Sequence, residues 1–267
     1  MRVGFIGAGN MARAMIVGLL EKKLFAADEL GCVSGSGTTA QSLSNETGIQ
    51  VAASRAELLR QSDTTVLAFK PQHLDTISEE ESVAADDKLI ISVLAGRDMD
   101  SLKSRFPNAR NIVRVMPNTP SRIGQGVSAY CFSESPSESD RQLVESALGA
   151  LGTCHEVEES QMHIVTAVSG CGPAVFFQFI DHIARAASQR GLDRETAAKL
   201  AIETGIGSLN LMTQSGQEPS ALVDEVVSPN GVTHALLCSL ADNEWASIID
   251  QAMEAAVNRS IELSQPS

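Results

Sequence analysis

Val3-Gly4-Phe5-Ile6-Gly7-Ala8-Gly9-Asn10-Met11-Ala12 is the stretch that decides the fold. A short apolar run meets two glycines one residue apart, and then Met11–Lys22 carries apolar residues at helical spacing. That order reads as strand, tight turn, helix. The first glycine permits the turn and the second lets the backbone come close to a pyrophosphate. Ala12 takes the small-residue place where the helix packs on its strand. Free N–H groups at the positive end of the helix complete a phosphate site. The same glycines would serve a ligand-free turn, but their position between an apolar strand and an amphipathic helix favours a dinucleotide.

Working outward, short apolar runs recur at Arg2–Ile6, Leu30–Ser34, Thr65–Phe69, Leu89–Val93, Asn111–Met116 and Gly126–Cys131. Helical patterns lie between them at Met11–Lys22, Ala40–Thr47, Arg55–Gln61, Leu74–Glu81 and Met99–Arg105. This alternation predicts an α/β fold, a doubly wound and mostly parallel sheet of the Rossmann type. A helix over Glu138–Leu151 and a short strand near Thr153–Val157 are expected to complete an N-terminal domain spanning residues 1–159.

After Glu159 the pattern changes to helices only, at Gln161–Arg190, Arg194–Ser215 and Asn243–Leu263, so residues 160–267 read as an all-helical second domain. Ser169-Gly170-Cys171-Gly172-Pro173 is expected to break the first of these, with its glycines admitting another backbone or a ligand. Ser228-Pro229-Asn230-Gly231 is turn chemistry, followed by a helix over His234–Leu240. The uncharged run Ser160–Ile180 is long enough to weigh as a membrane span. Its Gln161, His163, Ser169 and Gln178 would be costly in hydrocarbon, so an interior or interface helix is the better reading.

Composition narrows the function. Lys and Arg total 20 against 33 Asp and Glu, a net charge of −13, so neither a nucleic-acid partner nor a membrane surface is expected. An anionic ligand must be held by a local site. A hydrophobic content of 43% supports a packed core. Five dispersed cysteines with no CxxC spacing, and no secretory pattern at the N-terminus, point to reduced thiols in a cytoplasmic protein. His73, His155, His163, His182 and His234 lack metal-type spacing, and no metal is expected.

The end of the second strand selects the dinucleotide. An NAD site usually has Asp or Glu there to bond both ribose hydroxyls. Here the chain reads Cys32-Val33-Ser34-Gly35-Ser36-Gly37-Thr38-Thr39, with no acid, and small hydroxyl and glycine residues suit a 2′-phosphate. NADPH is therefore the expected cofactor, with NADH possible. Arg55 is a candidate cation on the adenosine side, equally readable as an exposed arginine at a helix start.

Six motifs occur in order: Phe5-Ile6-Gly7-Ala8-Gly9-Asn10-Met11, Leu67-Ala68-Phe69-Lys70-Pro71-Gln72, Val93-Leu94-Ala95-Gly96, Arg114-Val115-Met116-Pro117-Asn118-Thr119-Pro120, Val168-Ser169-Gly170-Cys171-Gly172-Pro173-Ala174 and Val227-Ser228-Pro229-Asn230-Gly231-Val232-Thr233. Across essentially the whole chain the set resembles the Δ1-pyrroline-5-carboxylate reductases, the family that completes proline biosynthesis. The resemblance implies a Rossmann domain, a helical dimerisation domain, a homo-oligomer built from dimers, and hydride transfer from NAD(P)H to a cyclic imine. It places Ile6, Gly7, Ala8, Gly9, Asn10 and Met11 on the pyrophosphate, and Ser34 and Ser36 on the adenosine ribose or its phosphate. Phe69, Lys70 and Pro71 would border the cofactor, with Ala95, Gly96, Met116, Pro117 and Asn118 near the nicotinamide.

The resemblance sets the small-molecule substrate at Ser228, Gly231, Val232 and Thr233. The first N–H groups of the following helix suit a carboxylate. The Thr233 hydroxyl is placed to hydrogen-bond the imine nitrogen and assist its protonation, where a plain helix cap is the bland alternative. A cyclic imine can arrive protonated, so the protein has chiefly to orient it and exclude water, and no catalytic His or Lys is named. The chain departs from the pattern at Asn230 and Val232, where Gly and Thr are usual, at Glu225, where Asn is usual, and at Cys171, where Ser is usual. Two rival readings stay open: a reductase of another cyclic imine, and a non-catalytic NADP-binding paralogue.

Overall fold

β1 (Val3–Ile6) is buried at every residue, as a strand covered on both faces must be. The structure, a computed structural model, describes residues 2–264. The other strands are β2 (Leu30–Val33), β3 (Gln50–Val51), β4 (Thr64–Leu67), β5 (Leu89–Ser92), β6 (Asn111–Met116), β7 (Gly126–Phe132) and β8 (Gly152–Glu156). They form one sheet in the order β3-β2-β1-β4-β5-β6-β7-β8. All neighbours run parallel except β6 and β7, which pair antiparallel from Val113 opposite Phe132 to Met116 opposite Ala129. The short β6–β7 connection leaves no room for a crossover, so the chain must turn back. β3, only two residues long, is too short to leave an alternation in the sequence, and it was not anticipated.

Side chains alternate between two cores. Phe5, Val66, Ile91, Val113 and Tyr130 point to one face and pack with Met15, Ile16 and Leu19 of α1 (Asn10–Glu21), Leu43 of α2 (Thr38–Thr47) and Val144 of α6 (Glu138–Gly149). Ile6, Leu67, Ile90, Ile112 and Cys131 point to the other, against Leu58 and Leu59 of α3 (Arg55–Gln61) and Leu102 of α5 (Met99–Arg105). Each fully buried large side chain contributes about 1.5–3 kcal/mol.

The helix expected over Leu74–Glu81 is two pieces, a 3₁₀ turn at Pro71–Thr76 and α4 (Glu79–Ala84). Ser78 divides them by starting a new helix. Its hydroxyl accepts the Glu81 N–H at 3.2 Å while the Glu81 carboxylate accepts the Ser78 N–H at 2.9 Å.

The chain separates into two compact units, one holding the residues to Cys171 and those from Ala256 on, the other Gly172–Ala255. The boundary by compactness lies beyond the expected 159/160. The segment after Glu159 packs on the sheet unit as α7 (Met162–Val165) and a π turn at Thr166–Gly170, followed by α8 (Gly172–Ser188). The expected break at Ser169–Pro173 is thus a π turn through which the helix continues. Gly170 does admit a close neighbour, though it is a side chain: a Cβ there would collide with the Met116 Cε.

The remaining helices are α9 (Arg194–Ser215), α10 (Pro219–Val226), α11 (Val232–Asp242) and α12 (Trp245–Ser264). α10 was not anticipated, although Pro219 at its first turn is a recognised start signal. Among the described residues, Glu159–Ser188 is the one helical stretch long and apolar enough to cross a membrane by length and composition. It is not an interior helix of the chain, because Val175, Phe176, Phe177, Phe179 and Ile183 are all exposed.

Candidate functional site

The sheet order reverses between β1 and β4, and a doubly wound sheet binds ligands in the crevice above such a switch point. Gly7 turns the chain there with φ +114°, a value closed to most side chains. A Cβ at Gly7 would run into the Ala68 carbonyl and lie 2.9 Å from the Phe69 nitrogen. Hydrogen bonds from Gly7 N–H to Val33 (2.8 Å) and from Ala68 N–H to Ile6 (2.8 Å) lock the turn to both neighbouring strands. Gly9 is different. A Cβ on it meets no protein atom within 4 Å, so what it leaves open is space outside the fold.

Gly9 caps α1 without a side chain, and no acid sits in the first turn. The N–H groups of Asn10, Met11 and Ala12 therefore face the crevice at the positive end of a helix, a fit for a pyrophosphate.

At the end of β2, Ser34 Oγ accepts the Ala40 N–H at 3.1 Å, which leaves its own proton to donate outward. Ser36 is exposed, and Gly37, with φ +72°, caps α2 without a side chain. The free N–H groups of Thr38 and Thr39, with no acid in that turn, suit a phosphate and not a pair of ribose hydroxyls. Arg55 opens α3 with its guanidinium 5.1 Å from the centroid of the Phe69 ring and 3.3 Å from Thr76 Oγ1. These contacts tie the Arg55 side chain to the segment that follows β4.

Phe69–Pro71 and Ala95–Gly96 follow β4 and β5, and Met116–Asn118 spans the end of β6, so these segments of neighbouring strands share one edge with Ile6–Met11. Lys70 is exposed. Asn118 is buried and holds its loop at two points: its Oδ1 accepts the Val127 N–H at 2.9 Å and its Nδ2 donates to the Ser169 carbonyl at 3.2 Å.

Sequence reasoning missed the supports of this edge. Arg97 donates from Nε to the Pro71 carbonyl (3.0 Å) and from Nη2 to Asp75 (2.9 Å). Arg114, 7% exposed on β6, pairs with Glu159. The Glu159 carboxylate also accepts the Met99 N–H and the Cys131 thiol, each at 3.0 Å. The legible signal was a lone arginine inside the apolar strand Ile112-Val113-Arg114-Val115-Met116, since a buried cation demands a partner. Burial, and next the Glu159 carboxylate, hold the Cys131 thiol well above its ordinary range, and burial pushes Cys32 up to about 11. Neither is a nucleophile at neutral pH. Cys171, expected as a packing residue, is exposed in the chain.

In the second unit Ser228-Pro229-Asn230-Gly231 is a turn closed by the Gly231 N–H on the Ser228 carbonyl at 3.0 Å, with Asn230 at φ +59°. Asn is among the few side chains that accept this left-handed position. A Cβ at Gly231 would meet Ser228 Oγ folded beneath it, so any larger residue there would turn the Ser228 hydroxyl aside. Gly231, not Thr233, is the N-cap of α11, and it caps without a side chain. Thr233 is the second helical residue, so its hydroxyl is not spent on capping. The first-turn N–H groups of α11 have no acid beside them and suit an anion.

A Rossmann sheet with a glycine cradle at its switch point, followed by an all-helical unit, defines a dinucleotide-dependent oxidoreductase architecture. Residues 2–96 match the model described as NADP oxidoreductase, coenzyme F420-dependent, and residues 159–263 match that described as pyrroline-5-carboxylate reductase dimerisation. The chain is 36% identical over 266 residues to the pyrroline-5-carboxylate reductase of Pseudomonas aeruginosa, covering 99% of this chain and 97% of that one. It is 33% identical to pyrroline-5-carboxylate reductase 1 of Bacillus subtilis, with 99% and 90% covered. The solved Coxiella burnetii pyrroline-5-carboxylate reductase superposes with a TM-score of 0.91 at 30% identity, covering 99% of each chain. The Plasmodium falciparum pyrroline carboxylate reductase with NADP bound gives 0.87 at 31%, covering 99% and 98%. The chain belongs to the pyrroline-5-carboxylate reductase family.

Proposed function

We propose that this protein reduces Δ1-pyrroline-5-carboxylate to L-proline with NAD(P)H. Two observations in one chain carry the reading: a glycine turn at the sheet's switch point that leaves open space at Gly9, and, in the second unit, a carboxylate-suited turn with an uncommitted Thr233 at the start of α11. Bound reduced nicotinamide supplies a hydride. The hydride adds to the imine carbon, which becomes C5 of the proline ring, the C=N π pair becomes the nitrogen lone pair, and one proton is taken up overall.

The N–H groups of Asn10 to Ala12 bind the pyrophosphate. Ser34, Ser36 and the α2 N-terminus take the 2′-phosphate, with Arg55 beside them, and this favours NADPH over NADH. Phe69, Lys70 and Pro71 line the middle, and Ala95, Gly96, Met116, Pro117 and Asn118 orient the nicotinamide half. Ser228, Gly231, Val232 and the α11 N–H groups hold the substrate carboxylate, while Thr233 hydrogen-bonds the imine nitrogen and assists its protonation. The working form is a homo-oligomer built from dimers through the helices of the second unit. Exposed Phe176, Phe179 and Ile183, on one face of α8, support that reading, and a cytoplasmic setting accords with five free cysteines.

The test is oxidation of NADPH by the purified protein with Δ1-pyrroline-5-carboxylate, alongside Thr233→Ala. Turnover that falls roughly a hundredfold in the variant is the expected result. NADPH bound without turnover of any imine would identify a non-catalytic paralogue. Turnover of a six-membered imine alone would identify a different imine reductase.

A further inference from the structure

The loop after β5 has a neighbour that the reaction itself does not call for. Gly96 sits at φ +71°, and a Cβ on it would lie 3.2 Å from the Leu263 Cβ and 3.3 Å from the Leu263 carbonyl oxygen. The backbone of the Ala95–Gly96 loop therefore lies directly on the last turn of α12. That turn is itself fixed. Ser260, one turn earlier and 7% exposed, places its hydroxyl 2.9 Å from Nδ1 of His163 in α7.

α7 runs into the π turn, whose Ser169 carbonyl accepts from Asn118 and whose Gly170 receives the Met116 side chain. On its other flank, Arg97 ties the loop to the Pro71 carbonyl. The end of α12, α7 and the π turn thus back two successive loops, those after β5 and β6.

The sheet order says which half of the ligand these loops meet. With the pyrophosphate at the β1/β4 switch point and the adenosine end over β2, the nicotinamide half extends over β4, β5 and β6. We propose that the last turn of α12, held through Ser260 and His163, is a backstop that positions the Ala95–Gly96 loop against the nicotinamide half of the dinucleotide. Ser260, His163 and Leu263 are positioning residues, acting through Gly96. The inference rests on the cofactor placement proposed above. It adds to that placement a role for the C-terminal end of the chain.

The test compares two ligands on the full-length protein. NADPH carries the nicotinamide; adenosine 2′,5′-bisphosphate carries only the half that lies over β2. In Ser260→Ala, NADPH affinity falls roughly tenfold, while affinity for the bisphosphate stays at the wild-type value. His163→Ala, which removes the other partner of the same hydrogen bond, gives the same split and carries the test should Ser260→Ala fail to fold. A purely structural contact would lower the thermal midpoint and leave both affinities unchanged in the folded protein. Equal losses on both ligands, or no loss on either, would overturn the positioning role. Wild-type protein that bound neither ligand would instead remove the cofactor placement itself.

Discussion

Gly7 and Gly9 sit one residue apart and face opposite demands, which a pair of substitutions separates. A Cβ at Gly7 meets backbone and requires a positive φ, so Gly7→Ala is expected to destabilise the fold by about 3 kcal/mol or more. A Cβ at Gly9 meets nothing in the protein, so Gly9→Ala keeps the wild-type thermal midpoint. It loses at least roughly tenfold in NADPH affinity, about 1.4 kcal/mol, by intruding where a pyrophosphate lies. Calorimetric melting and NADPH titration check both; weakened binding in neither variant would deny the cradle.

Asp140 offers a second test. Buried at the start of α6, it accepts two bonds from Arg110, at 2.9 and 3.1 Å, and these first, then Ser137, hold its carboxyl below the ordinary range. A lowered folded pKa stabilises the protein above the ordinary value of about 4 and is lost as pH falls through the folded value. Asp140→Asn is expected to cost about 2 kcal/mol at pH 7 in denaturant melts, with the gap to wild type closing below about pH 4.

At the scale of elements, the sequence was most legible where local chemistry alone selects the structure. The glycine turn and the periodic helices at Arg55–Gln61, Met99–Arg105 and Arg194–Ser215 lie where the residues predict. What escaped was decided at a distance or by few residues. The Leu74–Glu81 pattern is split by the Ser78 capping box, β3 owes its existence to pairing with β2, and the Arg114–Glu159 pair joins positions 45 apart in the chain. Ser169–Pro173 carries helix-breaking residues, yet Ser169 and Gly170 lie in the π turn, and Gly172 and Pro173 open α8, where a proline costs no helical hydrogen bond. The Arg114–Glu159 pair predicts that Arg114→Met, which leaves the half-exposed Glu159 without its cation, lowers stability by about 1–2 kcal/mol in chemical unfolding. The double change Arg114→Met with Glu159→Gln recovers part of that loss.

At the scale of the molecule, the apolar surface of the second unit predicts association. Phe176→Glu with Ile183→Glu places charge on one face of α8, and analytical ultracentrifugation is expected to show the wild-type oligomer reduced to a smaller species. An unchanged sedimentation coefficient would remove α8 from the interface. The sheet unit is also discontinuous: it takes its first residues up to Cys171 and then those from Ala256 onward. During synthesis, at roughly 5–20 residues per second, the sheet portion emerges on the order of ten seconds before the turn of α12 that lies on Gly96. A nascent chain therefore passes through a stage with the strands formed and the Ala95–Gly96 loop unsupported. Maturation of the cofactor crevice therefore trails formation of the strands, timed by synthesis of the turn around Leu263.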